Sequence, residues 1–357
     1  MSKRHRLSLF PFEGLPDEMI LKIFSLLDIK GVLRCGQVST RLRTICNDQC
    51  LWSKLNLSGR QVPYDFIEKA VENGCEYLNL CSSWVHGGKK AEEPWKLKYL
   101  QMSQNIDEWD KCALTLLEKV LQNCHFLQKL AVDNYFLNSL EIEQICQNGE
   151  TLKFLSLEGC DIDYYHRTEL IQKLFTKCPQ LTELSIYKYA GNNGVDNTFL
   201  DQNMYSLVNN LTSNILKVNL GNHECVQDEH VNTLVIRCNK MTELNLSGTS
   251  ITNDSLKSII THLKSLEKLD LDFTNIDLSS ILQLKLIPSL KVLRCFHGQN
   301  KENPEKIKNL KQQLPHIRIN EDDFHIAYSA KEVNNSIDPE WFWEIRAKQQ
   351  DLFPKVP

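Results

Sequence analysis

MTELNLSGTSI (241–251) and SLEKLDLDFTNI (265–276) share one form: an apolar residue, one residue of any kind, a second apolar residue, then a short polar turn. The form returns in TLKFLSLEGC (151–160), QLTELSIYKY (180–189) and SLKVLRCFH (289–297). Its first apolar members are Leu55, Leu78, Leu100, Leu130, Leu155, Leu184, Val218, Leu244, Leu269, Leu293 and Ile317, at spacings of 22 to 34 residues. Between the pairs lie segments of helical period, such as Leu256, Ile259, Ile260 and Leu263, which fall on one helical face. Each unit therefore reads as a strand followed by a helix. One such unit cannot bury its apolar face, but a row of them shares a continuous core.

Self-similarity at this period predicts an α/β leucine-rich-repeat solenoid over 54–320, with parallel strands on the concave face and helices on the convex face. Alternation along a strand turns both pair residues inward and the residue between them outward. The expected outward row is Asn56, Asn79, Gln101, Ala131, Ser156, Ser185, Asn219, Asn245, Asp270, Arg294 and Arg318. It is small and uncharged for most of its length and ends in two arginines, with Phe296 and His316 expected on the same face. A basic corner flanked by an aromatic ring suits an acidic or phosphorylated protein element.

Composition excludes several classes. The 357 residues are 42% hydrophobic and 24% charged with a net charge of −4, which fits a globular chain and gives no general field for nucleic acid. No run approaches the roughly 18 apolar residues of a membrane span, and MSKRHRLSLFPF lacks the apolar stretch of a secretory leader, so no membrane partner is expected. Thirteen cysteines without a CxxC pair or zinc spacing read as reduced small hydrophobes and hold no metal. Cys124, Cys178 and Cys238 each precede a strand at a similar distance, which suggests packing at helix ends inside the solenoid. There is no GxGxxG, GxxxxGK[ST], GxSxG or HExxH, and His86-Gly87-Gly88-Lys89-Lys90 falls short of a phosphate loop. No catalytic residue and no cofactor are expected.

The N-terminus departs from the repeat. In LPDEMILKIFSLLDIKGVLRCGQVSTRLRTICNDQCLW, which begins at Leu15, Pro16 suits the start of a helix and Asp17 and Glu18 favour its positive end. Ile20, Ile23, Phe24 and Leu27 then form an apolar stripe, two shorter helices follow, and Trp52 closes the unit. A three-helix unit of about forty residues is too small for a sufficient core, so part of its apolar surface should meet the first repeats or a partner.

This segment, 12–53, resembles the F-box, which docks a substrate receptor onto the Skp adaptor of an SCF-type ubiquitin ligase. Leu15-Pro16-x-Glu18, Ile23-Phe24, Leu26-Leu27, Val32-Leu33, Val38-Ser39, Arg41 and Leu51-Trp52 carry the likeness. The aromatic residue common after the basic position is replaced by Leu42, which implies a reduced contact area. The resemblance implies adaptor contacts from Leu15, Pro16, Glu18, Ile20, Ile23, Phe24, Leu27, Leu33, Val38, Leu51 and Trp52.

A second likeness runs from Ile287-Pro288-Ser289-Leu290 through Gln313-Leu314-Pro315-His316-Ile317-Arg318-Ile319-Asn320 to Trp343-Glu344-Ile345-Arg346. It is similar to the end of the S-phase kinase-associated family of F-box/leucine-rich-repeat receptors. That family implies a C-terminal tail, here 321–357, folded along the concave face beside a Cks-type accessory protein. The acidic strand Leu269-Asp270-Leu271-Asp272-Phe273 departs from the basic character a phosphorylated client would favour. In the tail, Asp338 and Pro339 start a helix carrying Trp341 and Trp343, which join Arg294, Phe296, His316 and Arg318 as expected client or accessory contacts. Residues 1–11 are a separate N-terminal segment. The implied role is a non-catalytic receptor, linked by the adaptor to a cullin and a RING subunit, acting in nucleus and cytoplasm. Its clients are expected to be phosphorylated and related to the cell cycle. The alternative is a leucine-rich-repeat binding or inhibitor protein outside any ligase, with the N-terminal helices as a cap.

Overall fold

The computed structural model describes residues 14–27, 29–57, 61–80, 84–86, 97–103, 117–118, 120–133, 135–163, 165–188, 201–296 and 304–320. The expected contacts Trp341 and Trp343, the tail and the first segment lie outside the described residues. Among the described residues an eleven-stranded parallel sheet runs in chain order from Lys54–Asn56 to Arg318–Ile319. Its later strands include Phe154–Ser156, Glu183–Ser185, Lys217–Asn219, Glu243–Asn245, Lys268–Asp270 and Val292–Arg294. Parallel neighbours need crossovers, and helices such as Arg167–Lys177, Asp201–Asn210, Asp228–Arg237 and Asn253–His262 supply them.

The pair residues stand in one line, with Leu155 beside Leu184, then Val218, Leu244, Leu269 and Leu293, all nearly without solvent contact. Leu256, Ile259, Ile260 and Leu263 are buried against them, as their spacing predicts. The last repeat corrects the sequence reading: Ile319, and not Ile317, pairs with Leu293. The Ile317 amide donates to the Leu314 carbonyl as the Leu290 amide does to Ile287, so Ile317 occupies the place of Leu290. Only one residue separates Ile317 from Ile319, whereas two separate Leu290 from Leu293, and that shorter link shifts the register.

Cys124, Cys178 and Cys238 are buried, and the Cys124 and Cys238 thiols donate to the carbonyls of Val120 and Thr212. Burial pushes Cys178 up to about 12 and Cys238 to about 11, so both stay as inert thiols. Four helices, not three, precede the sheet: α1 (Asp17–Phe24), α2 (Ile29–Cys35), α3 (Thr40–Cys46) and the single turn α4 (Gln49–Trp52). Trp52 is buried, its indole N–H donates to the Cys46 carbonyl at 2.6 Å, and its ring lies 6.0 Å from Phe66. The Ser53 carbonyl accepts from the amides of Glu76 and Tyr77, which joins the helical unit to the sheet.

A buried ion pair lies in the middle of the solenoid. The Arg167 guanidinium meets the Asp161 carboxylate at 2.7 Å and donates to the Ile162 carbonyl at 2.9 Å. Burial raises Asp161 above the ordinary carboxylate range, and Arg167 opposes that rise. Replacing Arg167 with alanine removes the cation that faces this buried carboxylate and should destabilise the protein by about 3 to 5 kcal/mol at neutral pH. Without the cation Asp161 rises further above its unfolded value, so this loss is complete at high pH and shrinks as pH falls towards about 4, where the folded state takes up the proton. Urea unfolding of both proteins between pH 5 and pH 8 measures it, and a pH-independent difference would contradict the assignment.

Candidate functional site

Two regions present groups that the fold does not consume. The first is the helical unit. Ile20, Phe24 and Trp52, expected to touch the adaptor, are buried in the core of the chain. They hold the unit together and are corrected here from contact residues to core residues. Leu42 is buried as well, so the aromatic residue it replaces costs no outer contact area. Leu15, Ile23 and Leu51 are half-buried against the core, whereas Pro16, Glu18, Leu27, Leu33 and Val38 are exposed.

Beside them the structure exposes Met19 and Leu26, the latter 68% accessible. Met19 was not singled out from the sequence; it lies in α1, and Leu26 lies just beyond the end of that helix. Five large apolar side chains, Met19, Leu26, Leu27, Leu33 and Val38, thus lie outside a core that is already closed. The Leu15-Pro16-Asp17 turn is pinned from α3, because Arg41 reaches the Asp17 carboxylate at 2.6 Å and donates to the Leu15 carbonyl at 2.5 Å. Both charged groups are well exposed, so this pair sets geometry more than stability.

The second region is the sheet face away from the helices. The row expected to project outward is instead largely buried, including Asn79, Ser156, Ser185, Asn219, Asn245 and Asp270. These short side chains fold back onto the chain leaving the strand. Asn219 accepts from the Gly221 amide at 3.1 Å, Asn245 from Ser247 at 2.8 Å and Asp270 from Asp272 at 3.0 Å. The Ser185 hydroxyl donates to the buried Glu158 carboxylate at 2.6 Å. With strands about 4.8 Å apart, such a row closes over itself. The residues two places earlier, on the same face, project instead, and they neutralise each other: Lys217 lies between Glu183 (3.7 Å) and Glu243 (3.4 Å), and Lys268 lies 3.1 Å from Glu243.

The C-terminal corner is also corrected. Arg294 is partly buried and committed, with its guanidinium 2.7 Å from the Asp272 carboxylate and 3.7 Å from Asp270. The acidic strand departure noted in the sequence is therefore its partner. Burial and the adjacent Asp272 raise Asp270 above the carboxylate range, with Arg294 opposing. Reversing Arg294 to an acid would set a third carboxylate into this cluster. Phe296 is half-exposed, its amide donates to Asp272 at 2.7 Å, and the Arg294 guanidinium stands 6.0 Å from its ring. Arg318 pairs with the level of Val292 and not of Arg294; it and His316 are exposed. Arg294 and Phe296 share the acid cluster, while His316 precedes the last strand and Arg318 lies at its start.

Among the described residues no group of three or more histidine, cysteine or acidic side chains is placed to hold a metal. No described helix is long and apolar enough to cross a membrane.

Comparison with known proteins agrees with this division. Among solved structures, an internalin from Listeria monocytogenes is 16% identical, with 82% of this chain and 86% of that chain covered, at a TM-score of 0.40. The second actin-binding site of leiomodin-1 is 18% identical over 42% of this chain and 88% of its own, at a TM-score of 0.28. Both likenesses are too loose to support an argument. A family model described as F-box-like matches residues 12–58, and one described as the SKP2 LRR domain matches 65–350. Together these models span most of the chain, which belongs to the F-box/leucine-rich-repeat family with repeats of the SKP2 type.

Proposed function

We propose that this chain is the substrate-recognition subunit of an SCF-type ubiquitin ligase, with the helical unit as adaptor plug and the solenoid as reader of a protein client. An F-box joined to SKP2-type repeats supports a receptor role in general, with the adaptor on one side and a protein substrate on the other. The observation that carries the plug is the exposed set Met19, Leu26, Leu27, Leu33 and Val38 on a unit whose own core is complete. Exposed apolar area of that kind marks a protein interface. Through the adaptor the chain joins a cullin and a RING subunit and holds its client near a charged conjugating enzyme. The rate gain then comes from proximity and not from its own side chains.

The reading extends to a phosphorylated client related to the cell cycle, received with a Cks-type accessory and directed to proteasomal degradation in nucleus and cytoplasm. Exposed Arg318, and not the committed Arg294, is the cationic group that supports this extension.

Leu26→Asp and Val38→Asp each place a charge in the adaptor interface without touching the core. Each should weaken binding of purified adaptor by at least about tenfold while the melting temperature stays within a degree or two. Unchanged affinity in both would leave the helices as a cap only. Arg318→Glu should weaken capture of a phosphopeptide and Cks protein by about tenfold or more, with the larger effect at low salt, because exposed charges are screened. Titration of the adaptor complex at two salt concentrations reads this, and an unaltered isotherm removes Arg318 from the client site.

A further inference from the structure

Across the sheet, the residue that leaves each rung bonds its amide to a carbonyl of the next repeat. Gly159 donates to Tyr187, Asn222 to Ser247, Gly248 to Asp272 and Phe273 to Phe296, the last at 2.6 Å. Four of these residues hold a left-handed backbone, with φ of +64° at Gly159, +63° at Asn222, +64° at Gly248 and +55° at Phe273, whereas Lys188, which donates to the Gly221 carbonyl at the same place in its repeat, does not. Glycine adopts that conformation freely and asparagine tolerates it, but for a bulky aromatic residue it is a genuine outlier. Phe273 is also 58% exposed, so its ring gains little from burial in this chain. Neither local propensity nor packing accounts for it. A strained residue kept where the fold would accept glycine indicates a use outside the fold.

The surroundings define that use. The Phe273 amide fixes the backbone of half-exposed Phe296, so both residues are held on the same rim. Beneath them Asp270 and Asp272 face the guanidinium of Arg294, and among the described residues no second cation pairs with this cluster. Two carboxylates with one committed arginine disfavour a phosphate, whereas an aromatic anchor on a rigid rim suits an apolar side chain. We propose that Phe273 is the anchor of a client-docking surface that takes an uncharged apolar side chain from a protein segment. It is a specificity residue distinct from Arg318, two strands away at the opposite end of its rung. This inference rests on the receptor reading only in assuming that the solenoid binds a protein.

The test uses the full chain bound to the Skp adaptor and two labelled peptide pools with random flanks, one with a fixed central phenylalanine and one with a fixed phosphoserine. The phenylalanine pool should bind, and Phe273→Asn and Phe273→Gly should each weaken it by at least about tenfold. Because both Phe273 substitutions relieve the strained backbone, the melting temperature should hold or rise by about 2 °C while affinity falls. Adaptor affinity, read in the same preparations, reports separately on the receptor assignment. Absence of binding by the phenylalanine pool, undiminished binding by Phe273→Asn, or transfer of the Phe273 dependence to the phosphoserine pool would each overturn the proposal. A lower melting temperature in both variants would overturn it too, by assigning Phe273 to the fold.

Discussion

Each strand of the main sheet is so short that its stability depends on register with its neighbours. A three-residue strand such as Glu183–Ser185 offers one central leucine to the helix side, and that leucine is useful only when Leu155 and Val218 flank it in the same line. Burial of one such side chain yields about 1.5 to 3 kcal/mol, far below the entropy of ordering its own repeat. Stability therefore belongs to the stack, and the stack must be closed at its ends. At the N-terminal end the closure is the helical unit itself, through buried Trp52 against Phe66 and the Ser53 carbonyl against Glu76 and Tyr77. The element that meets the adaptor is thus also the first support of the solenoid, which fixes the reader face relative to the plug. A receptor that works by proximity depends on such a fixed relation.

The inner half of this arrangement was legible in the sequence, and the outer half was not. Two apolar residues separated by one, returning after a helical segment, can hardly be placed except inward, so the line from Leu55 to Leu293 followed directly. Period two also gives the parity of Ser185, Asn219, Asn245 and Asp270, but parity does not say whether a short polar side chain reaches into solvent or returns to its own backbone. Asparagine and aspartate accept the amide two residues on, and here they do so in successive repeats. The register of the last strand failed for a related reason: Ile317-Arg318-Ile319 has the form of a pair, and only the hydrogen bonds of the preceding turn distinguish its members.

The motif in the helical unit shows a different limit. Matching residues by order and spacing identifies positions that the unit needs, without separating those needed for its interior from those needed for its partner. Ile20 and Phe24 are buried in the interior, while Leu27, Leu33 and Val38 are exposed. Burial makes that distinction, and it adds Met19 to the exposed set.

Charge on the open face follows the same economy of position. Lys217, Glu243 and Lys268 alternate along neighbouring strands at distances of 3.1 to 3.4 Å, so the centre of the face presents little net field. At the C-terminal end Arg294 is drawn inward by Asp270 and Asp272, which converts an apparent phosphate receptor into a structural cluster. Counting arginines in the pattern could not reveal this, because the acids that hold Arg294 come from the neighbouring repeat. Among the side chains that stay exposed at this end are Arg318 at the start of its strand and Phe273 on the rim. A repeat architecture that satisfies most of its polar groups internally leaves specificity to such exceptions, and the strained backbone at Phe273 is the clearest of them.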